Sequence, residues 1–100
     1  MSEHAQTVRV AAFSSVDGRR DELVTALESV ARDASDADGC FGAQVCEIAE
    51  EPDVLAVLSR WESRSAVDTF TQEYAERAQD AVAGLTSGPP TVLHYESLTG

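Results

Sequence analysis

Six side chains in this sequence have types and positions suited to chemistry on a small organic molecule: His94, Gln44, Trp61, Phe70, Tyr74 and Cys46. His94 stands in an alternating stretch, Thr91 to Leu98, on one face with Val92, Glu96 and Leu98. An imidazole titrating near neutrality is the natural base for a phenol or an enol; the alternative is an interior, hydrogen-bonded histidine. Tyr95 alternates opposite to it, so only one of the two can face a pocket. Gln44 and Cys46 share a strand face, and an amide on a pocket wall can orient a carbonyl. Trp61 closes a strand at the expected pocket mouth, either as wall packing whose indole N–H needs a partner or as a substrate contact. Phe70 and Tyr74 follow Val67 at helical spacing, a stripe that reads as core, though the Tyr74 hydroxyl can donate to a substrate oxygen. His4 falls in the expected N-terminal tail and carries no assignment.

Six elements must position these groups. Thr7 to Ser14 alternates with strand period, with Val8, Val10 and Ala12 on one face and Arg9, Ala11 and Phe13 on the other. Asp17-Gly18 signals a turn. Leu23, Ala26, Leu27, Val30 and Ala31 recur at helical spacing and predict a helix over about 19–34, ended by the turn-forming run from Ser35 to Gly39. Cys40 to Ile48 reads as a second strand, with Phe41, Ala43 and Val45 on one face. Glu50 to Asp53 reads as a polar hairpin turn, and Val54 to Trp61 as a third strand, apolar enough to be central and covered on both faces. Ser63 or Ser65 can cap a second helix that runs through Ala83, where Gly84 and Gly88-Pro89-Pro90 stop it. Thr91 to Leu98 is the last strand. The order β-α-β-β-α-β is the split βαβ of an α+β, ferredoxin-like antiparallel sheet with two helices on one face. The strands hold more apolar side chains than one face can use, so a second copy of the chain is expected to cover the other face as a two-fold dimer.

Composition narrows the function. The chain has 100 residues, 43% of them hydrophobic, and a net charge of −11 from 18 acidic and 7 basic residues. That surface repels a phosphate backbone and anionic lipid, so neither nucleic acid nor membrane is an expected partner. All seven basic residues are Arg, which fits a GC-rich or salt-adapted source. No apolar run is long enough to span a bilayer, and Met1-Ser2-Glu3-His4 shows no secretory leader, so the cytoplasm is the expected location. Residues 1–6 are expected to form a disordered tail and 7–100 a single domain. Cys40 and Cys46 do not have zinc-site spacing and read as half-buried thiols in a reducing compartment. On one regular strand their even separation puts them on the same face, about 20 Å apart at strand rise and beyond disulfide reach. No phosphate-cradling glycine loop, nucleotide fingerprint or nucleophile elbow occurs, so no cofactor is expected through those devices, and with no second ligand set visible beside His94 no metal is expected either.

Three segments resemble one family. Gly39-Cys40-Phe41-Gly42-Ala43-Gln44-Val45 is similar to the glycine-bracketed second-strand segment of the antibiotic biosynthesis monooxygenase (ABM) domain. Trp61-Glu62-Ser63-Arg64-Ser65-Ala66-Val67 is similar to its W-E-S-x-x-A element, and Gly84 to Pro90 to the loop before its last strand. With the intervening helix the resemblance covers about Val8 to Leu98. It implies a dimeric α+β barrel of two ferredoxin-like subunits, each with a pocket between sheet and helices. One branch of the family degrades haem with an axial His, an Asn and a Trp. The corresponding positions here are Gln79 or Asp80, Ala11 and Phe70, so haem degradation is disfavoured. A second branch oxidises phenolic or anthrone-like intermediates to quinones with O2 and no cofactor. Its strand-end Trp is matched by Trp61, while its Asn and Tyr positions hold Val57 and Val67 and Cys46 stands near a His position. The resemblance therefore implies a small cofactor-independent monooxygenase acting on a hydrophobic aromatic or quinonoid molecule and O2. Binding falls to Trp61, Phe70, Tyr74 and Cys46, and the proton or developing oxyanion to His94 or Gln44. Two alternatives stand beside it: a non-enzymatic dimeric ligand-binding or stress-related module, and a polyketide cyclase- or isomerase-like enzyme that needs a base but no oxygen.

Overall fold

Strand alternation and turn residues place the elements largely where expected. The computed structural model describes residues 6–99. The expected tail, apart from Gln6, lies outside the described residues, as does His4. The elements are β1 (Thr7–Ser14), α1 (Arg20–Ser35), β2 (Cys40–Ile48), β3 (Glu51–Trp61), α2 (Arg64–Val82) and β4 (Thr91–Glu96). They form one antiparallel sheet in the order β2-β3-β1-β4. This is the ferredoxin-like α+β arrangement.

Two strands differ in length from the expectation. β3 begins three residues early, because the chain turns at Ala49-Glu50 and Glu51 already pairs with Ile48 across a register shift. Pro52 is accommodated there since β1 reaches only to Val54, so no central ladder needs its missing N–H. β4 stops at Glu96 because its partner β1 starts at Thr7, which pairs with it.

The Ser63 hydroxyl caps α2 by accepting from the Ala66 amide at 3.1 Å, which makes Ser63 the cap and leaves Ser65 inside the helix. Gly39 holds the turn into β2 with φ at +84°, and an added Cβ would lie 2.8 Å from the Ala66 Cβ. That close approach locks the start of α2 against the end of α1.

Both helices lie on one face of the sheet. α1 packs along β2 and β3, whereas α2 meets β1 and β3 only sparsely. Leu23, Leu27 and Ala31 of α1 bury against Ala11, Phe13, Leu55 and Val57. A second cluster joins Ala34, Trp61, Val67 and Phe70. The other face of the sheet carries Val8, Val10, Ala12, Val54, Ala56 and Leu58, with Leu93 and Tyr95 of β4 about half exposed beside them. β3 is thus central, as expected, but within one chain it is covered on the helix face only.

A bulge between Cys40 and Gly42 corrects the expected face assignments in β2. Cys40 and Ala43 both pack on the Trp61 cluster, with Phe41 turned out to solvent. Cys46, opposite Ala56, faces the uncovered side. The two cysteines therefore lie on opposite faces of the sheet, against the expectation of a shared one.

Candidate functional site

Where α2 stands off the sheet, a cavity of about 230 Å³ opens between them. Its floor is Arg9, Ala11 and Phe13 of β1 with Val57 of β3. Its roof is α2, through Phe70, Thr71, Tyr74, Ala75, Ala78, Gln79 and Val82. Val30 of α1 and Pro90, just before β4, close the sides. The sequence makes this space by placing alanines where a core would carry larger residues: Ala11 below, Ala75 and Ala78 above. Beside it, between α1 and α2, lies a smaller hollow of about 160 Å³ that shares Val30, Phe70, Tyr74 and Ala78. The Arg77–Asp33 ion pair, at 3.4 Å, bridges the two helices at its rim.

An aromatic row connects the buried cluster to the cavity. Trp61 and Phe70 have ring centroids 5.2 Å apart, and Phe70 stacks on Tyr74 at 4.8 Å. The Arg77 guanidinium lies over the outer face of Tyr74, 5.6 Å from its centroid. Phe70 and Tyr74 thus reach the cavity wall from the helical stripe read in the sequence. Trp61 does not: it is fully buried behind Phe70, and its indole N–H donates to the Ser59 hydroxyl at 2.8 Å. Ser59 is itself buried, so the pair closes its own polar demand inside the core.

Gln44 and Cys46 are brought together, with the Gln44 amide 3.5 Å from the Cys46 sulfur, but on the face of the sheet away from the helices. They do not meet the cavity. His94 lies on the helix face, paired across the ladder with Arg9, and stands outside the cavity wall. Partial burial pushes His94 below the ordinary histidine range; the Arg64 and Arg9 cations add to this, while Asp68 and Glu96 pull the other way. Its neutral form is favoured, the form a base requires. Glu96 accepts from the Thr7 hydroxyl at 3.0 Å, and Asp68 is paired with Arg64 at 3.2 Å. Burial raises the Cys40 thiol above its usual range, so it stays protonated and is a poor nucleophile.

Arg9, Thr71 and Gln79 also line the cavity, and the sequence pattern alone assigns them no chemistry there. Arg9 does carry a signal: it is the one charged side chain on a strand face otherwise made of Thr7, Ala11 and Phe13. Thr71 and Gln79 belong to the flank of α2, and nothing in their spacing distinguishes them from solvated helix positions.

No curated protein matches this chain in sequence. Solved structures share its fold at low identity. A Bordetella bronchiseptica protein provisionally named an antibiotic biosynthesis monooxygenase superposes with a TM-score of 0.82 at 18% identity, over 95% of this chain and 99% of its own. A Deinococcus radiodurans protein with the same provisional name gives 0.82 at 20%, over 94% of each chain. A Mycobacterium tuberculosis protein gives 0.81 at 22%, over 95% of this chain and 97% of its own. These similarities establish the fold. The sequence profile of the antibiotic biosynthesis monooxygenase family matches residues 7–73, from the first residue of β1 into the middle of α2, and so takes in the floor of the cavity and the start of its roof; the chain belongs to that family.

Proposed function

We propose that this protein is a cofactor-independent monooxygenase, working as a cytoplasmic homodimer of a single domain, that oxidises a hydrophobic aromatic or quinonoid molecule with O2. The observation that carries this reading is the cavity under α2, whose wall is apolar apart from Arg9, Thr71, Tyr74 and Gln79. Its size suits such a substrate: a cavity of about 150 Å³ already admits benzene. In the reaction, an acidic C–H of an anthrone-like substrate loses its proton to give a carbanion. The carbanion passes an electron to O2, a C–O bond forms, and the hydroperoxide loses water to leave a carbonyl. One O2 is consumed and one water released, with all electrons drawn from the substrate. The protein's share is to exclude water and to stabilise the developing oxyanion, for which the Tyr74 hydroxyl and the Arg9 guanidinium are the donors on the wall. His94, on the helix face and paired across the ladder with Arg9, is the proton carrier of this reading.

The apolar face of Val8, Val10, Leu58, Leu93 and Tyr95 supports dimerisation sheet to sheet. Oxygen uptake with a panel of anthrones and hydroquinones tests the chemistry, with His94→Ala expected to slow it; no uptake across the panel refutes the oxygenase reading. A second reading, a ligand-binding module without catalysis, is favoured by one observation. Among the described residues, the wall holds no histidine, carboxylate, lysine or thiol that could act as a base. Ligand binding without uptake would select it.

A further inference from the structure

Among the described residues, Arg9 is the only charged one on the cavity wall. It is half buried, and among the described residues its guanidinium has no ion pair and no hydrogen-bond acceptor. Of the other six arginines, Arg19, Arg20, Arg64 and Arg77 have carboxylate partners, and Arg32 and Arg60, which have none among the described residues, are exposed to water. The neighbours of Arg9 across the sheet are Ser59 and His94, neither of them acidic. The two carboxylates at this end of the site are engaged elsewhere, Glu96 with Thr7 and Asp68 with Arg64. A cation on the core face of a central strand is costly unless something compensates it.

From this arrangement we infer that the cavity is selective for a planar aromatic monoanion, a carboxylate or a phenolate, whose charge is met by the Arg9 guanidinium. The planar fork of Arg matches such a group in two parallel hydrogen bonds, and a low-polarity wall strengthens the pairing. The cavity, about 230 Å³, has room for a small fused aromatic ring system. A net charge of −11 repels a polyanion more strongly than a monoanion at long range, which favours a ligand with a single negative charge. Burial also lowers the Arg9 pKa from its usual value, as expected of a cation held without a partner. The competing account is that Arg9 lays its stem on the apolar floor and keeps its head in water.

The inference deepens the proposed function by naming the charge of its substrate, and binding tests it apart from turnover. The probes are 2-naphthoate and its neutral isostere 2-naphthamide, titrated by calorimetry against the intact protein. Wild type is expected to bind the carboxylate about 10-fold or more tightly than the amide, as for hydrogen bonds to a charged group. Arg9→Met, which keeps the apolar stem, is expected to erase the preference, and Arg9→Lys to retain part of it. Equal affinities in wild type, a preference that survives Arg9→Met, or no binding of either probe overturns the inference. The wild-type comparison needs no variant, so a poorly folding Arg9→Met leaves the test intact. A carboxylate preference without oxygen uptake sinks the oxygenase reading and leaves the anion site standing. Oxygen uptake on neutral hydroquinones with no carboxylate preference does the reverse.

Discussion

Filling the cavity should stabilise the protein while disabling it, and Ala78→Leu is the substitution that separates those effects. Ala78 lies on α2, partly buried, and contributes to the walls of both the main cavity and the smaller hollow between the helices. Leu adds three carbons. At about 0.8 kcal/mol per buried methylene the gain is at most about 2.4 kcal/mol. Ordering the side chain returns about 0.5–1 kcal/mol of that. The helix itself is nearly indifferent, since Leu ranks next to Ala in propensity. Partial exposure of the site removes a further share, so the net is about 1 kcal/mol of added stability. For a domain of this size that is a rise of about 4–8 °C in Tm. Had the space under α2 been a packed core, the same change would cost about 1–3 kcal/mol through overpacking. Differential scanning calorimetry reads the sign directly, and titration with 2-naphthoate or oxygen uptake reads the loss of the site. A fall in Tm refutes the stand-off of α2. A rise in Tm with binding and turnover unchanged refutes the cavity as the functional site.

Three further outcomes follow from named contacts. Ser59→Ala strands the buried Trp61 indole N–H and should cost about 1–3 kcal/mol in chemical denaturation; no loss would mean that the N–H finds another partner. Leu93→Glu, opposite Val10 on the uncovered face, should convert a dimer to a monomer in sedimentation, and an unchanged sedimentation coefficient would remove that face as the interface. His94 titrates below its ordinary value because of burial and the Arg64 and Arg9 cations, against the opposing pull of Asp68 and Glu96. As pH falls the unfolded chain binds the proton first, so stability is lost as pH drops through the folded value; the Tm of wild type should fall faster than that of His94→Gln between about pH 7.5 and 5.5.

Periodicity made most of the scaffold readable, because alternation and helical spacing are local and turn residues mark their limits. β1 and β2 fall at the expected boundaries, and the apolar stripe of Phe70 and Tyr74 lines the cavity. What periodicity leaves open is which face of a strand looks toward the helices, since that depends on pairing. Gln44 and Cys46 were readable as a pair, but only the register of β2 against β3 puts them opposite Leu58 and Ala56 and away from the cavity. The bulge at Cys40 adds one residue that no alternation rule anticipates, and it moves Cys40 to the helix face. Trp61 was legible as an aromatic needing a polar partner. Its partner, Ser59, sits two residues earlier on the same strand face, and a serine within an apolar strand gives little notice of that role.

The two central strands divide their residues between two tasks, and this ties the proposed assembly to the proposed site. In β1, Val8, Val10 and Ala12 point to the uncovered face while Arg9, Ala11 and Phe13 form the cavity floor. In β3, Leu58 faces out and Val57 lines the cavity. A partner sheet packed on one side would therefore fix the backbone that carries the other. A slip of one residue in β1 would exchange the two sets, placing Arg9 in the interface and Val8 or Val10 under α2. Arg9 is consequently tolerable only in this register, where its charge opens onto a cavity rather than a dry sheet-to-sheet contact. The same reasoning explains why α2 can stand away from the sheet without the fold losing its core. Leu23 and Leu27 of α1 are fully buried against β1 and β3, and Trp61 anchors the start of α2 from below. Stability is concentrated under one helix and at one end of the other, and the remaining length of α2 is left to roof a hollow.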